Sequence, residues 1–124
     1  MNEKDFSTQI EDLLRLGGWD RWIHLRPARV RRGGKDIYET AYSGHKGFLD
    51  YLAMRTLTKE TIYFELKGDG GKVTPEQRDW LAAHKAVGNR AYVWFPKDYQ
   101  DAQDVLLAGC DFDFSHAKED RRLL

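Results

Sequence analysis

Apolar residues along this chain fall into two rhythms, one of helical period and one of strict alternation. From about Lys4 to Leu16 the helical rhythm holds, with Phe6, Ile10, Leu13 and Leu14 on one stripe and Gly17-Gly18 as the stop. Trp19 to Leu25 predicts a strand, followed by a basic segment that Pro27, Gly33 and Gly34 punctuate. Residues 35–46 carry a weaker signal, with "KDIYETAYS" suited to a short strand and a turn. Two clear alternations come next. In "FLDYLAM", residues 48–54, Leu49, Tyr51 and Ala53 point one way and Phe48, Asp50, Leu52 and Met54 the other. In "TIYFELK", Ile62, Phe64 and Leu66 alternate with Tyr63, Glu65 and Lys67. The connection "RTLTKE" is short enough for a hairpin.

Thr74 then opens a helix with Pro75 at its first position, an inner stripe of Trp80, Leu81, His84 and Val87, and Gly88 as its end. "AYVWF", residues 91–95, is a continuous apolar run of the kind buried on both faces at a sheet centre. A last helix spans Asp98 to Leu107. The predicted order is α-β-β-β-α-β-α: an α/β fold with a mixed sheet, an antiparallel meander followed by a helical crossover. The 124 residues make one domain, with a core from about residue 4 to 108 and a solvated tail, 109–124.

Composition narrows the picture only slightly. The formal net charge is zero, so no global field points to nucleic acid. The charge is nonetheless segregated: Arg21, Arg26, Arg29, Arg31, Arg32 and Lys35 are opposed only by Asp36, while Asp98 to Asp113 contains no basic residue. The basic segment suits a phosphate-contacting surface and a solvated loop equally well. Cys110 stands alone, which excludes an internal disulfide and a cysteine-based zinc site. His24, His45, His84 and His116 show no metal-ligand spacing. No apolar run approaches a membrane span and no signal-peptide pattern opens the chain, so a cytoplasmic protein is expected, nucleoid-associated or virus-encoded in a host cytoplasm.

The hairpin changes the picture more. If Arg55 faces Glu60, each step back along one strand is a step forward along the other, and Asp50 sits opposite Glu65. Their Cβ atoms would then be about 5 Å apart on one face, and Lys67 shares that face. Opposed like charges are unfavourable, and a divalent cation offsets the repulsion; hard carboxylate oxygens suit Mg²⁺, which keeps waters and takes substrate phosphate. A register shift of one residue would put the acids on opposite faces.

Asp50 followed by Glu65-Leu66-Lys67 matches the active-site pattern of the PD-(D/E)xK nucleases. The wider stretch "GFLDYLAM…IYFELKGDGGKVTPEQRDWLAAHKAVG" resembles the VRR-NUC branch of that superfamily: Gly47 with Asp50, Glu65 with Lys67, the loop Gly68 to Lys72, Thr74-Pro75 with Gln77, then Gly88. Leu49 stands where the family usually has Pro. The resemblance implies a restriction-endonuclease-like fold and an Mg²⁺- or Mn²⁺-dependent nuclease. Asp50 and Glu65, with the Leu66 carbonyl, would hold the metal. Glu11 matches the family's first-helix glutamate and would reach it directly or through water. Lys67 would position the attacking water or neutralise the phosphorane, and Gln77 would orient Lys67 or the scissile phosphate.

Arg26, Arg29, Arg31, Arg32, Lys35 and Lys72 would contact the DNA backbone. Stand-alone family members resemble four-way-junction resolvases that act as homodimers, which makes branched DNA the expected substrate. A nicking or flap nuclease working with a helicase or recombinase is the alternative enzyme, and a non-catalytic branched-DNA-binding module the alternative outside enzymes. Several residues keep a plainer reading. Glu65 and Lys67 taken alone suit a surface salt bridge, Thr74-x-x-Gln77 is a capping box, and Tyr63 is ordinary strand filler.

Overall fold

Asn2 starts the first helix, its side-chain oxygen accepting the Asp5 N–H, and α1 runs Glu3–Leu16. The computed structural model describes residues 1–26, 28–39 and 43–110; of the tail expected from 109 to 124, residues 111–124 lie outside them. After α1 come β1 (Arg21–His24), β2 (Ala28–Arg32), β3 (Lys35–Glu39), β4 (Tyr51–Arg55), β5 (Glu60–Leu66), α2 (Pro75–Ala86), β6 (Arg90–Trp94), a single 3₁₀ turn (Pro96–Asp98) and α3 (Tyr99–Leu107). The main sheet is mixed, with order β1-β4-β5-β6; β6 alone is parallel to its neighbour, reached through α2.

Phe6, Ile10, Leu13 and Leu14 of α1 meet Tyr51, Ala53, Ile62, Phe64 and Leu66 of the sheet and Ala102, Leu106 and Leu107 of α3 in one buried cluster. The alternation along each strand thus assigns one face to α1 and α3. The opposite face meets α2, where the His84 ring stacks on Tyr63 with centroids 4.3 Å apart. No helix among the described residues is long and apolar enough to cross a membrane.

The structure departs from the sequence pattern in three places. The basic segment contributes a strand, β2, which pairs with β3, the short strand suggested for residues 35–46, as a separate hairpin turning at Gly33-Gly34, both with left-handed φ (57° and 78°). A Gly-Gly pair is the residue choice a tight hairpin turn requires, and the surrounding arginines masked the alternation. "AYVWF" is an edge strand rather than a central one, with Ala91, Tyr92 and Val93 only half-buried; apolar residues are common on half-covered edges. Val87 is the C-cap of α2 and 72% exposed, outside the helix's inner face.

The β4–β5 register is the one drawn from the sequence, with Arg55 opposite Glu60 and Tyr51 opposite Phe64. Arg55 holds it. Its buried guanidinium donates to Glu60 Oε1 at 2.9 and 2.6 Å, to the carbonyls of Gly17 (3.0 Å) and Ala108 (2.7 Å), and lies 4.5 Å over the Trp19 ring. Arg90 takes the second Glu60 oxygen at 2.7 Å. Burial alone would raise the Glu60 pKa, but hydrogen bonds from Thr58, Arg90 and Arg55 outweigh it and hold the carboxyl at about 2. Removing one member of such a pair strands the other, so Arg55→Ala is expected to cost about 3–5 kcal/mol in urea unfolding. Because the Glu60 pKa is depressed, its contribution is present above its ordinary value of 4.5 and lost as pH falls toward 2. Glu60→Gln should flatten that acid limb of the stability curve; an unchanged limb would assign it elsewhere.

Candidate metal and phosphate site

The site forms where β5 ends. Asp50 stands one residue before β4, and both neighbouring chains fix it: its N–H donates to Glu65 Oε1 at 3.1 Å and its carbonyl accepts the Leu25 N–H at 2.7 Å. Glu65 is 3% exposed. Lys67 Nζ lies 3.6 Å from Glu65 Oε2. The Lys67 N–H donates to the Trp94 carbonyl on β6. C=O and N–H of one trans peptide point opposite ways, so the Leu66 carbonyl is directed away from β6, toward the Asp50 side. Asp50, Glu65 and Lys67 are therefore brought together as the hairpin pattern predicts, with the Leu66 carbonyl on the Asp50 side.

A further charged group, Glu3, joins them that the sequence reading left out. The amino end of α1 lies directly on the end of β5, where a Cβ on Gly68 would fall 2.6 Å from the Glu3 nitrogen. The Met1 ammonium pairs with Asp69, and the Asp69 N–H donates to the Met1 carbonyl at 3.0 Å. This contact carries Glu3 close enough to act electrostatically on both buried acids. The signal was available: Asn2 as cap to Asp5 starts the helix at Glu3, one residue before the apolar rhythm does.

Glu11, the first-helix acid chosen from the sequence, is placed elsewhere. It accepts the Tyr51 hydroxyl at 2.7 Å and sits 3.7 Å from His24 Nδ1. Tyr51 belongs to the α1-facing cluster, so Glu11 serves that side of the sheet. Burial first, then Glu11, raises the Tyr51 pKa far above its ordinary value and keeps the hydroxyl a donor. Gln77 has both roles open to it in space. Its side-chain oxygen accepts the Thr74 N–H at 3.0 Å, completing the capping box, and its residue lines a cleft that also contains Asp50.

Among the basic residues, Arg26 is exposed and donates to His24 Nδ1 at 3.1 Å; Arg31, Lys35 and Lys72 are exposed. The side chains of Arg29 and Arg32 lie outside the described residues.

Electrostatics mark the acid pair. Burial, then the charge of Glu3, pushes Asp50 up to about 6, against the pull of Lys67. Burial, then Asp50, pushes Glu65 up to about 7. Among the described residues no set of three or more His, Cys, Asp or Glu is gathered to hold a metal by itself. Two carboxylates and a carbonyl are a hard, incomplete donor set, which suits a cation that keeps waters and takes a substrate phosphate. The chain matches no protein-family model, no curated protein and no solved structure.

Raised carboxyl pKa values have a definite sign. Between the ordinary range and about 7 the folded protein keeps protons that the unfolded chain has lost, so stability falls as pH rises through that window. The metal-free protein should therefore melt at lower temperature at pH 7.5 than at pH 5.5. Asp50→Asn should remove part of that fall and millimolar Mg²⁺ most of it, as read by differential scanning fluorimetry. A melting temperature indifferent to both would mean that the pair is not strained.

Proposed function

We propose that the chain is a metal-dependent DNA endonuclease of the VRR-NUC type, hydrolysing phosphodiester bonds at branched DNA and acting as a homodimer on four-way junctions. The observation that carries this reading is the contact of half-buried Asp50, through its N–H, with the buried Glu65 carboxylate, and Lys67 beside it at the same strand end. A pair of opposed, desolvated acids with one ammonium is costly as architecture and useful as a cation and phosphate site. The fit to Mg²⁺ or Mn²⁺ rests on that donor set: Asp50 and Glu65 would hold the ion, with the Leu66 carbonyl as a neutral third oxygen. A divalent ion there supplies Lewis-acid stabilisation of phosphate charge and acidifies water.

The remaining work falls to the chain's own groups. Lys67, whose stem packs against Gly71, presents an ammonium beside Glu65, where it orients the attacking water or meets the negative charge that grows on the phosphate. The Asp50 backbone is tied to β1 and Glu65 together, so the acid pair is fixed before substrate arrives. Gln77 has no partner for its amide nitrogen among the described residues while its oxygen is held by the cap, which leaves a donor for a phosphate oxygen. Arg26, Arg31, Lys35 and Lys72 supply exposed charge for backbone contacts that carry no sequence preference.

The test is cleavage of labelled four-way junction, flap and plain duplex with and without Mg²⁺. Wild-type protein should cut only with the metal, and Asp50→Ala and Lys67→Ala should each lower the rate by about 100-fold or more. Paired symmetric nicks in the junction would support the resolvase over a flap nuclease, with sedimentation reporting the dimer. Metal-independent binding with no cleavage would leave only a DNA-holding module.

A further inference from the structure

Beside the acid pair lies a cleft of different chemistry. It holds about 630 Å³, within the range of small-molecule sites, and runs from Asp50 to an aromatic wall made by Phe48 and Trp80. The wall is built to stay in place. The Trp80 indole N–H donates to the carbonyls of His45 and Lys46 at 3.3 and 3.0 Å, and Phe48 meets the ring edge-on with centroids 5.0 Å apart. Gly47, at φ +91°, lets the same loop press onto the start of α2, where a Cβ would fall 2.6 Å from Glu76. Trp80 remains only half-buried and also borders a second hollow of about 400 Å³. Such a fixed, open ring next to a phosphate site has no role in holding a cation.

We propose that this cleft is a subsite for an unpaired nucleobase adjoining the phosphate held at Asp50, with Trp80 as the stacking platform. The inference rests on the nuclease reading and narrows its substrate to DNA with an unpaired nucleotide at the cut. Continuity supports it, since Asp50 lines both the cleft and the acid pair and a single nucleotide then spans the two. Chemistry supports it as well. Every base has a π-face, so stacking on an indole is tolerant of sequence, as expected where exposed Lys and Arg give only backbone contacts. Gln77 supplies the cleft with an amide for a base edge or phosphate oxygen. A base in duplex must first be unstacked and unpaired, which penalises plain duplex and least affects a flap, bulge or junction centre.

The test uses Lys67→Ala protein, which keeps both carboxylates, and duplexes carrying one fluorescent base analogue, either paired or unpaired in a single-nucleotide bulge, in Mg²⁺. Stacking on Trp80 should quench the unpaired analogue, and bulged DNA should bind about 10-fold more tightly than the paired duplex. Adding Trp80→Ala should abolish the quench and lose about that factor for the bulge, with less than a twofold change for the duplex, while Trp80→Phe should retain most of it. Ser43→Trp, which narrows the cleft from its exposed rim, should reproduce the loss without touching the α2 packing and stands in if Trp80→Ala does not fold. Equal affinity for paired and bulged DNA, or an equal loss for both, would overturn the subsite. Wild-type cleavage separates the two ideas: equal cutting of plain and bulged duplex keeps the nuclease and removes the subsite. Trp80-dependent quenching without any cutting removes the nuclease and leaves a base-binding cleft.

Discussion

Everything at the site depends on the register of one hairpin, and that register is held by the buried guanidinium of Arg55. Its nitrogens bond Glu60 across the hairpin and the terminal carbonyls of Gly17 and Ala108, and its plane covers Trp19. The hairpin, the end of α1 and the end of α3 therefore share one charge. Desolvating an arginine is expensive unless nearly every donor is met, and here a carboxylate and several carbonyls meet them. The consequence at the other end of β4 and β5 is geometric. With Arg55 opposite Glu60, Asp50 must come alongside Glu65; a slip of one residue would turn Asp50 to the α1 side, among Phe6, Ile10 and Tyr51.

The two ends of this hairpin treat acids in opposite ways. At the turn, Glu60 lies between two arginines and is held ionised far into the acid range. At the open end, Asp50 and Glu65 share Lys67 and lie within the field of Glu3, so burial prevails and their pKa values rise. The first arrangement stabilises the fold; the second strains it. Strain of this kind survives in a small domain only where the surrounding structure holds it, and here the α1 cluster and the Gly68 contact supply that hold.

Most of the framework was legible from the chain. Alternation in "TIYFELK" placed Glu65 and Lys67 on one face because strand period is a strong local signal; loop length indicated the hairpin, and the assumed Arg55–Glu60 pairing is the one it adopts. Thr74-Pro75-x-Gln77 announced its helix through a capping box that is present in full. What escaped was set by contacts distant in sequence. Glu3 joins the acids only because Gly68 lacks a Cβ, a close approach over more than sixty residues that no local pattern encodes. Glu11 was the candidate the family resemblance implied, yet helix phase turns it to Tyr51 and His24. The β2–β3 hairpin was hidden by its arginines, and the edge position of β6 by its aromatic residues.

The division of the site between strand ends and a loop held against α2 bears on how it would choose DNA. The acids and Lys67 stand at strand ends, where backbone position is set by the sheet. The aromatic wall instead depends on the 43–48 loop, held to α2 by the indole N–H and by the close packing of Gly47. On the proposed reading the acids at the strand ends would carry the chemistry and the loop with α2 the selection, the two meeting at Asp50 and Gln77. The chain has no net charge to draw DNA from a distance, so on the proposed function discrimination would arise on contact. A fixed ring beside a fixed phosphate site provides such discrimination without reading sequence, because its cost is the unpairing of a base and that cost varies with DNA structure. On the proposed reading the exposed basic residues would need only to hold the DNA backbone while the cleft tested for a free base.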